Sequence, residues 1–335
     1  MKRRLRLLLA VPSSGDPAHR RVARALAARY RARGHRVRVF SPAVGAADAV
    51  TAGAFAALLR AQRSDAAHVH CFSRGSGFLG RVRFPPGLRL VLTHQGAALD
   101  LLEGPAAFRR ALARADRVTA VSAAGLRELG AFAPGIRRKA CLVYNGTDPF
   151  PARGGRPAGR PFVLTVGRIA AYKGLDLMAL AFAGLLADGA DLDWAAVGPD
   201  QTGGEFQRFL RRLGIADRVR LTGALPPRRV ASLLARCLFF AHPSRLENMP
   251  MALLEAMAAG KAVAASRAGG IPEAVADGRS GLLFPAGSVR GLQAALTRLH
   301  SDSGLRTRLG RAALRRARDF SWDRIADRYL ELLGA

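Results

Sequence analysis

The sequence predicts an α/β protein of two doubly wound domains with parallel sheets, and three observations predict it. Short apolar runs alternate with helix-period stretches from end to end, the pattern of repeated strand–helix–strand units. The segment "PFPARGGRPAGRP" at 149–161 interrupts this alternation; it carries no hydrophobic period and reads as a linker. The alternation then restarts, and 335 residues suffice for two cores of ordinary size. The expected division is a first domain over 1–150, a linker over 151–161, a second domain over 162–318 and a closing helical segment over 319–335.

Each element follows in order. "MKRRLRLLLAV" imitates a secretory leader, but its uninterrupted apolar run is only Leu7 to Val11, short of the roughly 7–15 residues a leader needs. It reads as a first buried strand, 5–11. The helix "PAHRRVARALAARYRARG" is entered through Ser13, Ser14, Gly15 and Asp16 and closed by Gly34. Strands follow at 36–40, 67–71, 89–93, 117–121 and 140–144. After the linker they fall at 162–166, 193–197, 218–222, 238–241, 261–265 and 281–284, with helices between and a last helix from about 321 to 334. No stretch approaches the ~18 apolar residues of a membrane span. The expected location is the cytoplasm, soluble or peripheral on the inner face of the membrane.

Composition narrows the partners. Lys and Arg number 53 against 24 Asp and Glu, a net charge of +29; residues 1–150 hold 26 against 8. Such a surface attracts anions: phosphate-bearing ligands, anionic lipid or nucleic acid. Arginine supplies all but four of the basic residues, the lysines being Lys2, Lys139, Lys173 and Lys261, so part of the charge reflects compositional bias. A nucleic-acid binder should interleave basic and aromatic residues. Aromatics make up 7% and the arginines scatter, so nucleic acid is not the expected partner. The basic helix and strand over 17–38 could dock on anionic lipid or be a solvated face. Three cysteines without paired spacing fit a reducing compartment.

Three stretches could do chemistry. In "LTVGRIAAYKGLDL" a strand ends at Gly167, and Arg168 and Lys173 follow before a helix. Two cations beside helix amides make an anion site suited to a diphosphate; taken alone they could equally be solvated charges. In "PSRLENMPMALLEAMAAGK" Pro250 can open a helix and Gly260 close it. Glu255 then sits mid-helix between apolar neighbours, a carboxylate needing a partner. Glu247 lies in the loop before the helix; each acid suits a pair of adjacent hydroxyls or a purely structural role. "SRAGGIPEAV" adds Gly269 and Gly270, where backbone can approach a ligand closely, and the "VPSSGDP" loop around Gly15 is a similar device in the first domain.

"GRIAAYKG", "PSRLENMPMALLEAMAAGK", "AGGIPEAV" and "GRSGLLF" occur in order and at the spacing of one family. Together they resemble the retaining GT-B glycosyltransferases of family 4, which use nucleotide-sugar donors; the E-x7-E pair, Glu247 and Glu255, is the most specific mark. "RARGHRVRVF", "VSAAGLRELG", "VYNGTDPF" and "FSWDRIADRYL" extend the likeness over nearly the whole chain. It implies a GT-B fold, two Rossmann-like domains facing a cleft, with the closing helix returning to the first. It implies that Gly167, Arg168 and Lys173 hold the donor diphosphate of a UDP- or GDP-sugar. Glu255 would take the ribose and Glu247 the transferred sugar. The backbone of Asn248, Met249, Pro250 and Met251 and of Gly269–Gly270 would line the site with Gly15, and His94 in "LTHQG" would stand near the anomeric centre unless it is structural. Departures are Ser14–Gly15 where relatives often have paired glycines, and Ala262 where many have proline. The acceptor would be an unidentified hydroxyl of a glycan or glycolipid. Neither metal nor other cofactor is expected. The rival activities are a GT-B sugar-nucleotide epimerase or phosphorylase.

Overall fold

A computed structural model describes residues 3–11, 17–42, 48–71, 77–96, 106–150 and 159–335. The chain forms two compact units, Met1–Gly146 with Trp322–Ala335, and Thr147–Ser321.

The first unit holds strands β1 (Arg6–Ala10), β2 (Arg36–Phe40), β3 (Ala66–Cys71), β4 (Arg89–His94), β5 (Arg117–Ala120) and β6 (Ala140–Leu142), and helices α1 (Pro17–Ala32), α2 (Asp48–Ala61), α3 (Ala106–Arg114) and α4 (Ala123–Phe132). The strands pair in parallel in the order β2-β1-β3-β4-β5-β6. Central strands are largely apolar because helices cover both faces of such a sheet; Leu7, Leu8 and Leu9 of β1 are all buried, while β3 and β4 also bury His68, His70, Thr93 and His94. β2 is one of the two edge strands, and there Arg36 and Arg38 are exposed, as suits an edge that must not recruit another strand.

The second unit holds β7 (Phe162–Val166), α5 (Leu175–Ala187), β8 (Asp193–Val197), α6 (Glu205–Arg212), β9 (Val219–Leu221), α7 (Pro227–Arg236), β10 (Phe239–His242), α8 (Met251–Ala258), β11 (Val263–Ser266), α9 (Ile271–Ala274), β12 (Leu282–Phe284), α10 (Val289–Ser301) and α11 (Ser303–Ala317). Its sheet is also parallel, ordered β12-β11-β10-β7-β8-β9. α5 is apolar almost all round and packs in the core with Trp194, whose indole N–H donates to Thr165 Oγ1 at 2.9 Å. The strand order reverses between β7 and β10. Ligands of open α/β sheets bind at such a switch point, outside the carboxyl ends of the strands.

The last helix, α12 (Trp322–Leu333), belongs to the first unit. It buries Trp322, Ile325, Tyr329, Leu330 and Leu333 against α1, β3 and β4. Arg33 of α1 donates through Nε to Asp327 at 2.5 Å and through Nη2 to the Asp323 carbonyl at 3.2 Å. A buried polar chain runs beneath it: Tyr30 Oη lies 3.0 Å from His68 Nδ1, and His68 Nε2 2.8 Å from Thr93 Oγ1. Thr119 Oγ1 donates to Thr93 Oγ1 at 2.8 Å, and Thr93 Oγ1 donates to Tyr329 Oη at 3.3 Å. Burial, then the neighbouring His70, push the His68 pKa well below the ordinary histidine value.

Candidate active site

The second unit brings Lys173 and Glu247 together at the switch point of its sheet. β7 leads through Gly167 and Arg168 into a single 3₁₀ turn, Ala171–Lys173, before α5. β10 leads through Pro243 and Ser244 into the Glu247 loop, and Pro250 stands as the N-cap of α8, so the helix opens at Met251, one residue later than expected. Because β7 and β10 are neighbours, residues 74 apart in sequence meet: Lys173 Nζ donates to Glu247 Oε1 at 2.5 Å. The stem of Lys173 lies over Gly167, where an added Cβ would stand 3.9 Å from Lys173 Cδ.

Glu247 Oε1 gathers two more donors. His242 Nε2 is 2.9 Å away, and Ser244 Oγ donates at 2.9 Å. A carboxylate only accepts, so this contact places the imidazole proton on Nε2. Ser266 of β11 donates to the Ser244 carbonyl at 2.5 Å and braces the loop from the next strand. Side-chain exposure is 9% for Glu247 and 16% for Lys173. Burial pushes the Glu247 carboxyl up, but the Lys173 charge and the His242 bond outweigh it and hold the group well below the usual carboxylate range. The acid is therefore ionised, with three donors on one oxygen.

Gly269 and Gly270 back this loop. Gly269 has φ +50°, and a Cβ there would fall 1.7 Å from the Glu247 carbonyl oxygen; no other residue fits without moving backbone. The Gly270 amide donates to the Asn248 carbonyl at 2.8 Å. It is committed to the protein, contrary to the expectation of a ligand-facing donor, because the turn folds directly onto the loop. Asn248, Met249 and Pro250 are buried and Met251 is half-buried. No side chain caps the amides at the start of α8.

Arg168 is exposed beside Lys173, its guanidinium 5.6 Å from the Tyr172 ring centre. Glu255 is half-buried rather than in the core. Apolar residues at i±1 on a helix point 100° away and do not decide the face of residue i, which is why its flanks misplace it. His94 belongs to the first unit, fully buried with its ring 6.1 Å from that of Phe108; burial pushes its pKa down to about 4, the Gly96 backbone acting the other way. Gly15 lies outside the described residues. On the basic segment 17–38, Arg20, Arg24, Arg31, Arg36 and Arg38 are exposed, whereas Arg33 pairs with Asp323 and Asp327.

Sequence reasoning missed His242 and Ser244, although two polar residues close before an acid at a strand end are a signal. It also missed Arg245 and Asp176, which bond to each other through two parallel contacts. Among the described residues, no three His, Cys, Asp or Glu side chains gather as a metal site, and no helix is long and apolar enough to cross a membrane. The arrangement supplies positive charge for an anion beside a helix N-terminus, and next to it an ionised acceptor for hydroxyl groups.

Known proteins resemble the chain in sequence and in fold. The profile of "Glycosyl transferases group 1" matches residues 147–316, and that of "Glycosyltransferase Family 4" matches residues 20–149. The chain is 32% identical over 191 residues to a D-inositol 3-phosphate glycosyltransferase of Corynebacterium glutamicum, covering 54% of this chain and 46% of that one. A namesake from Thermomonospora curvata is 32% identical over 245 residues, 66% of this chain and 57% of its own. The chain thus spans about half the length of the curated relatives it matches. Among solved structures, Anabaena HepE in complex with UDP and glucose superposes with a TM-score of 0.82 at 21% identity, over 99% of this chain and 100% of that one. The two parallel six-stranded sheets are those of a GT-B protein. With one family profile spanning the second unit's site and another most of the first unit, the chain belongs to the group 1 glycosyl transferases, family 4.

Proposed function

We propose that the protein moves a sugar from a nucleotide-diphosphate donor, a UDP- or GDP-sugar, to an acceptor hydroxyl with retention of anomeric configuration. The observation that carries this reading is the Lys173–Glu247 pair at the switch point of the second-unit sheet. Arg168 and Lys173 hold the diphosphate, Glu247 accepts from hydroxyls of the transferred sugar, and Glu255 accepts from the ribose. The nucleotide leaves as an anion, so the two cations stabilise the transition state more than the ground state. A departing phosphate oxygen takes the proton of the acceptor hydroxyl, so no separate nucleophile is required. His94 is fully buried in the first unit, the setting of a structural histidine. On this reading Arg168, Lys173 and the helix amides supply the positive charge, and no metal is called on.

Support for the donor comes from Anabaena HepE, solved with UDP and glucose. The names of the curated relatives make D-inositol 3-phosphate the first acceptor to try, and an anionic acceptor suits the excess of basic residues in the first unit. An anionic membrane surface bound through residues 17–38 would hold a lipid acceptor instead. The test measures transfer from UDP- and GDP-sugars, with and without acceptor and chelator. Lys173→Ala should cost on the order of 2–4 kcal/mol of transition-state stabilisation, a fall in kcat/KM of about 30- to 1,000-fold, and chelator should change nothing. Near-normal turnover in Lys173→Ala, or no calorimetric heat with any nucleotide sugar, overturns the reading.

A further inference from the structure

Two residues before Glu247, Arg245 grips the turn that carries Lys173. Its Nη1 and Nη2 donate to Asp176 Oδ1 and Oδ2 at 2.7 and 2.6 Å. Nη1 also donates to the Ala171 carbonyl at 2.7 Å, and the Arg245 amide donates to the Tyr172 carbonyl at 2.8 Å. Lys173 is thus flanked along the chain, at 171–172 and at 176, by points that one arginine holds. The turn is also pressed onto the same loop from behind. Gly174 has φ +66°, and a Cβ there would meet the Pro243 carbonyl oxygen at 2.1 Å.

A three-residue 3₁₀ turn has little rigidity of its own, and lysine has four freely rotating bonds. A guanidinium joined to a carboxylate by two parallel bonds sets orientation as well as distance. Arg245 is poorly placed to be a ligand cation itself, since Asp176 already neutralises it and the Ala171 carbonyl occupies a third N–H. We infer that Arg245 and Asp176 are positioning residues: they fix the Lys173 ammonium against Glu247 and so set where the donor's diphosphate and sugar are gripped. The donor part of this inference rests on the proposed function; the placement of Lys173 does not.

The chain has only four lysines, so the reactivity of each can be followed by peptide mass after labelling with limiting acetyl N-hydroxysuccinimide ester. Lys139 Nζ donates to the carbonyls of Ala113 and Ala115, and Lys261 Nζ to those of Ala235 and Cys237; both serve as references. In Asp176→Asn and in Arg245→Ala, labelling of Lys173 should rise on the order of tenfold over both references, the population change expected for one lost charged hydrogen bond. The kcat/KM for UDP-glucose should fall by about 10- to 100-fold, as displacement of a catalytic group by roughly 1 Å brings, with the larger share in kcat, where the Lys173 charge acts. Arg245→Lys, which keeps charge but not the fork, should fall between. Unchanged Lys173 labelling in both variants overturns the inference. So does a parallel rise at all three lysines in both, which is what a merely structural role produces. If the unaltered chain fails to bind UDP-glucose, the transferase reading falls while the labelling result still decides the clamp.

Discussion

Glu247 illustrates how a few contacts change what a side chain does. Lys173, His242 and Ser244 all act on its Oε1, and the group stays ionised far below the 4.5 of a free glutamate. In the unfolded chain those partners are gone and the carboxyl protonates near its ordinary value. The unfolded state therefore binds the extra proton first as pH falls, and the stability this acid contributes is lost on the acid side. The contribution is complete above about pH 4.5 and declines below it. Glu247→Gln should be less stable than the unaltered chain at neutral pH, the gap narrowing as pH drops under 4.5. Urea titrations of both proteins from pH 7 to pH 3 check this, and a constant gap would refute it. Gly269→Ala tests the same site from the backbone. It must displace the Glu247 carbonyl and leave the left-handed region, at a cost of about 1–3 kcal/mol, read as a lower urea midpoint.

At the scale of elements, Gly146 and Trp322 decide how α12 begins. A Cβ on Gly146 would stand 2.5 Å from Trp322 Cδ2, inside a buried ring. Gly146→Ala should push the indole aside and destabilise the first unit by roughly 1–3 kcal/mol, as overpacking does, measurable as faster hydrogen exchange along 322–333. Every one of the twelve strands among the described residues starts and stops within two residues of its expected place, because a strand buried on both faces has to be a compact apolar run. Strand order is another matter. Nothing near Lys173 in sequence says that β10 rather than β8 alone will flank β7, so the Lys173 bond to Glu247 was not readable, nor was the Arg245–Asp176 fork. Local spacing marked Arg168, Lys173, Glu247 and Glu255 as candidate site residues. It could not show that Lys173 would be the counter-ion of Glu247, since that depends on a sheet assembled from distant segments.

At the scale of the whole molecule, the chain leaves the first unit at Gly146 and re-enters it at Trp322. The returning helix covers Tyr329 over the His68–Thr93 chain. A protein stopped after Ser321 should therefore lose the fold of the first unit but keep the second. Limited proteolysis should then leave a resistant fragment near 147–321, and survival of the 17–146 region would refute the prediction. The pH response should differ between the units as well. His68 is held neutral, so the first unit should lose stability as pH falls below about 6.5, and His68→Gln should flatten that slope in urea titrations. The same connectivity bears on synthesis. Nascent chains ordinarily complete their leading portion first, but here the leading sheet lacks its cover until some 175 later residues, Thr147 to Ser321, have left the ribosome. The portion made second can finish while the portion made first still waits, its apolar strands open to chaperones.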